Sequence, residues 1–69
     1  MAERPNELKK LADIAGDTGI SAELRTKSVE LIGKIGTHDA LLVLLELAAN
    51  KELATEEREY ARDIIKAGR

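Results

Sequence analysis

Few side chains in this sequence stand where they could do chemistry. The one histidine, His38, precedes Asp39. Acid–base or metal work there would need partners, and neither a second histidine nor a His-x-x-Glu spacing occurs. His38 is therefore expected to be a solvated residue helping to cap a helix. Glu52, Glu56, Glu57 and Glu59 could in principle hold a divalent cation. Lying at a helix start with Arg58 and Arg62 nearby, they read instead as a solvated acidic face. Ser21, Ser28, Thr18, Thr26, Thr37 and Thr55 have the positions of caps, turn residues or small packing residues. No Gly-x-Ser-x-Gly or phosphate loop is present. The expectation is a chain without catalysis, metal or cofactor.

Two arginines carry more meaning. Arg25 and Arg58 stand thirty-three positions apart. They suit pairing with Asp17, Asn50 or loop carbonyls between packed units, or contact with a partner.

Four helices are expected to position these residues. The first begins near Pro5, tolerated in a first turn, and carries Leu8, Leu11, Ala12, Ile14 and Ala15 until Gly16-Asp17-Thr18-Gly19 breaks it. Ser21 caps the second, with Glu23 in its first turn and Lys34 in its last. Its apolar stripe is Leu24, Ser28, Leu31, Ile32 and Ile35, and Gly36 supplies a left-handed stop. The third opens after Thr37 and is apolar around nearly its whole circumference over residues 40–49, which predicts a central position with Leu41 and Leu44 on a shared face. Thr55 is expected to cap the fourth, whose inner face is Ala61, Ile64 and Ile65 and which Gly68 ends. Gly33, inside the second helix, costs roughly 1 kcal/mol relative to alanine. It marks either a close approach by a following unit or a neutral surface position.

Composition bounds the rest. The chain has 69 residues, 43% hydrophobic and 35% charged, which is globular and helical in character. A domain this short buries only about 60% of its unfolded surface. Tyr60 is the one aromatic residue and cysteine is absent, so the core is aliphatic and without disulfides or thiolate sites. Net charge is −2, with neither half basic enough for a phosphate backbone. The 37–50 segment follows a turn but offers His38, Asp39 and then leucines, unlike a DNA-reading helix. It also lacks the basic face of a membrane-surface helix. The polar start has no apolar signal-peptide core, and the Ala40–Leu45 stretch is too short to span a bilayer. A cytoplasmic protein is expected, with neither nucleic acid nor membrane as partner.

The sequence also repeats. Residues 8–31 fall on 41–64 at an offset of thirty-three: Leu8 on Leu41, Leu11 on Leu44, Ala15 on Ala48, Glu23 on Glu56 and Arg25 on Arg58. Near-matches keep step, including Asp17/Asn50, Ile20/Leu53, Ser28/Ala61 and Leu31/Ile64. A fixed offset of this size marks stacked supersecondary units. Ankyrin and tetratricopeptide signatures are absent. The segment from Glu30 through Gly33, Gly36 and Asp39 to Leu45 resembles the helix end, glycine turn, acidic residue and next helix of short HEAT-like repeats of the phycobilin-lyase type. Arg25 and Arg58 fall where that family places an arginine at the start of its second helix. The connections over 16–22 and 49–55 are longer than the family's, and its iron-binding His-Glu pairs are missing.

The resemblance implies an all-α fold: one domain, 1–69, of two antiparallel helical hairpins, about 5–36 and 37–69, stacked as a HEAT-like superhelix. An ordinary four-helix bundle is the competing arrangement. The implied function is a small protein–protein interaction or adaptor module, with Arg25, Lys27, Lys34, Arg58, Glu59 and Arg62 as candidate partner contacts. The alternatives are an accessory subunit of an enzyme complex, or a structural homo-oligomer or designed or excised set of repeats without intrinsic activity. Two repeats are few for a stable solenoid, so a homodimer or a tight partner is expected.

Overall fold

The computed structural model describes residues 3–68, and side-chain surroundings from residue 7. These residues form four helices, α1 (Glu3–Ala15), α2 (Ala22–Ile35), α3 (His38–Ala49) and α4 (Thr55–Ala67), with no strand among them. Pro5 is the third helical residue of α1 rather than its start, still in the turn where backbone N–H groups lack an intrahelical acceptor.

The loops are built alike. After α1, Asp17 Oδ1 accepts from Gly19 N at 2.8 Å and Ile20 N donates to Asp17 O. After α3, Asn50 Oδ1 accepts from Glu52 N at 2.9 Å and Leu53 N donates to Asn50 O. Each is a turn closed by the short side chain of its first residue. The next helix starts at the same place in both: Ser21 caps α2 by accepting from Leu24 N, and Ala54 occupies the equivalent cap of α4. Thr55 is therefore the first helical residue and not the cap, because the copied loop brings the helix start to position 54. Alanine leaves that end without a side-chain acceptor. Between α2 and α3, Gly36 adopts φ 69°, and Thr37 caps α3 through a bond from Ala40 N.

α1 packs most extensively on α2, and α3 on α4. α2 and α3 each touch all three other helices, whereas α1 and α4 do not meet among the described residues. The core is Ala15, Val29, Ile32, Ala40, Leu44, Leu47, Ala48, Leu53 and Ala61. Its two largest fully buried side chains, Val29 and Ile32, belong to α2.

Two expectations change here. On α2 the buried line is Ser28, Val29 and Ile32, while Leu24, Leu31 and Ile35 are exposed. The helix carries two apolar lines, and its neighbours cover only the first. α3 is not enclosed: Ala40, Leu44, Leu47 and Ala48 face the core, but Leu41, Leu42 and Leu45 face out. Among the described residues the other helices leave these three partly open.

Contacts between the pairs fix their relation. Arg25 and Glu57, near the starts of α2 and α4, touch, as do Gly33 and Ile64 near the ends, so these helices lie side by side in the same direction. A Cβ at Gly33 would come within 2.6 Å of Ile64 Cγ2, closer than carbon atoms tolerate. Gly33 is thus a close-approach glycine. Just past the end of α1, a Cβ at Gly16 would lie 4.0 Å from Leu47 Cδ2.

Candidate functional site

Arg25 is held inside the molecule. Its Nε donates to Glu57 Oε1 at 2.8 Å and its Nη1 to the Ile20 carbonyl oxygen, joining the α1–α2 loop to α4. Only 13% of the Arg25 side chain and 5% of that of Glu57 is exposed. The candidate partner contact at Arg25 is therefore engaged by its own chain, bonded to a loop carbonyl and a carboxylate rather than to Asp17. Glu57 Oε2 is buried without a hydrogen-bond partner, so the pair is only partly compensated for leaving water.

Arg58 does not copy this arrangement. It is half-buried, and its Nε donates to the Ala48 carbonyl oxygen at 3.4 Å, a long bond. The position equivalent to Glu57 in the first pair is Leu24, so the sequence repeats the arginine but not its acid.

The other candidates are on the surface. Lys27 and Lys34 flank Glu30 on α2 at 3.8 and 3.9 Å, pairs too exposed to matter much for stability. Glu59 and Arg62 line a shallow charged depression on α4 with Asp63 and Lys66. The structure gives α2 and α4 mixed-charge outer sides, and parallel packing puts those two helices next to each other.

His38 is exposed at the start of α3, on the rim of a cleft of about 390 Å³ that Gly36, Leu41, Ile64 and Gly68 also line. No second histidine or acid shares that lining. Of the acidic run, Glu57 turns inward while Glu52, Glu56 and Glu59 are exposed. Among the described residues no three His, Cys, Asp or Glu side chains gather as a metal site needs, and no helix is long and apolar enough to cross a membrane.

The exposed apolar side chains were not among the candidates. Ile14, Leu24, Leu31 and Ile35 are exposed on the first pair, with Leu24 56% open, and Leu41, Leu42 and Leu45 on the second. The chain matches no protein-family model, no curated protein and no solved structure.

Proposed function

We propose that this chain is a non-catalytic protein-interaction module built from two HEAT-like helix pairs, with the polar sides of α2 and α4 as its contact surface. The observation that carries the reading is the copied loop: the same side-chain turn, backbone bond and helix start recur thirty-three residues apart. The layering supports it as well. A closed up-and-down bundle brings its first and last helices together. Here α1 meets α3 and α2 meets α4, while α1 and α4 stay apart among the described residues. Stacked pairs present equivalent helices on one side, and repeat proteins bind there. Lys27, Glu30 and Lys34 on α2 and Glu59, Arg62 and Asp63 on α4 give that side alternating charge suited to a polar partner surface.

Affinity capture from the native host tests this with two baits, the wild-type chain and a Lys27→Glu, Lys34→Glu, Arg62→Glu variant. A protein retained by the first and lost by the second, with unchanged melting of the bait, is the expected result. Equal capture by both baits, or none by either, removes the α2/α4 side as the contact surface.

A further inference from the structure

The junction between the two helix pairs has two halves, and the positions of each half recur at an opposite end of the molecule. On the first pair the junction uses Gly16, Arg25 and Gly33, and on the second Leu47, Glu57 and Ile64. Moved back by thirty-three, the second set becomes Ile14, Leu24 and Leu31, all exposed. Moved forward, the first set becomes Ala49, Arg58 and Lys66. Ala49 and Lys66 border an open groove together with Leu45, Ala48, Arg62 and Ile65. The counterparts of all six groove residues in the first pair are Ala12, Ala15, Gly16, Val29, Ile32 and Gly33. There the same groove is occupied, since Leu47 and Ile64 reach its glycines and Ala15, Val29 and Ile32 are fully buried.

We propose that a second copy of this chain stacks head to tail on the first, its Ile14–Leu24–Leu31 face seated in the Leu45–Ala49–Ile65 groove, so that the internal junction continues between molecules. This rests on the repeat reading above and names a partner for it. The second copy is the occupant because the internal junction is the one fit the molecule displays for either face, and each end carries one of its halves. Such a contact is heterologous and does not close, so it builds open chains rather than a fixed dimer.

Two of the three contacts are weakened in the copy. Leu24 stands where Glu57 meets Arg25, and Lys66 stands where Gly33 admits Ile64. Intermolecular stacking is accordingly looser than the internal junction and reversible with concentration.

Leu31→Arg spoils one face and Leu45→Arg the other, both at exposed positions. Sedimentation velocity from micromolar to millimolar should show wild-type mass rising past two chains while each variant alone keeps the mass of one. An equimolar mixture of the two variants should reach two chains and stop, since each retains the face the other lost, and this result also shows that both are folded. Leu24→Glu with Lys66→Gly rebuilds the internal contacts at the outer faces and should lower the concentration of half-assembly about tenfold or more.

A wild-type mass of one chain throughout overturns the proposal. So does a closed dimer that Leu45→Arg still forms, or association that neither variant weakens. A host partner captured as expected while the wild-type chain keeps the mass of one throughout keeps the module reading and removes this one.

Discussion

The two helix pairs share a backbone plan and differ in what they place on it. Both turn on a short polar side chain, at Asp17 and Asn50, and both start the next helix at the same step. Yet Ser21, Leu24, Val29 and Gly33 of the first pair become Ala54, Glu57, Arg62 and Lys66 in the second. Backbone geometry is copied by local turn chemistry, which needs only one or two side chains. Burial is decided by which neighbour covers a position, so equivalent residues can have opposite environments.

The largest expected effect breaks the comparison at its most buried point. Ile32 is fully enclosed while its counterpart Ile65 is half-buried beside an open groove. Ile32→Ala should cost about 2–5 kcal/mol, enough to abolish a cooperative thermal transition in a domain this small. Ile65→Ala should cost less than half as much in the same denaturant titration.

Next comes the buried charge pair of Arg25 and Glu57. Glu57→Ala leaves the Arg25 guanidinium inside the fold with only the Ile20 carbonyl, at an expected cost of about 3 kcal/mol. Leu24→Ala, at the equivalent but exposed position, should stay within about 0.5 kcal/mol. Arg25→Met combined with Glu57→Leu should recover most of the loss, because well-packed apolar side chains replace such pairs at little cost. Chemical denaturation of the three variants checks the set, and an unrescued double variant would show that the pair does more than compensate its own burial.

Gly33→Ala sets a new methyl against Ile64, for about 1–3 kcal/mol of overpacking less roughly 1 kcal/mol regained in helix propensity. Lys66→Ala should be neutral within about 0.5 kcal/mol. Equal melting shifts would mean that the α2–α4 approach is not what the glycine serves. The smallest pair has opposite signs: Ser21→Ala removes a cap and Ala54→Ser adds one, each by about 1 kcal/mol, read as a fall and a rise in melting temperature.

The helices were legible in the sequence because their punctuation is local. Ser21, Gly36 and Thr37 do what their side chains and backbone freedom dictate at any helix end. Thr55 misled because a good capping residue one position late competes with the loop's own geometry. The choice of core line on α2 was not legible from periodicity. Leu24, Leu31 and Ile35 fit a helical stripe as well as Val29 and Ile32 do, and only the packing of the other helices selects between them. The thirty-three-residue offset held a usable signal, since Val29 and Gly33 matched to Arg62 and Lys66 mark a face covered once and open once. For the candidate surface, Lys27, Lys34, Glu59 and Arg62 needed only helical spacing to be placed outside. Arg25 went inward because Glu57 reaches it from another helix, a pairing no local pattern contains.

That α1 and α4 never meet among the described residues has a consequence for how the molecule breathes. Each outer helix is held only by the inner two, so peeling α1 away leaves α2, α3 and α4 packed on one another, and the reverse holds for α4. In linear arrays, opening proceeds from an edge, and its free energy follows the surface uncovered at that edge rather than the whole fold. Amide hydrogens of α1 should therefore exchange with solvent through a partial opening well below the global unfolding energy. Those around Val29 and Ile32 should wait for the entire chain to unfold.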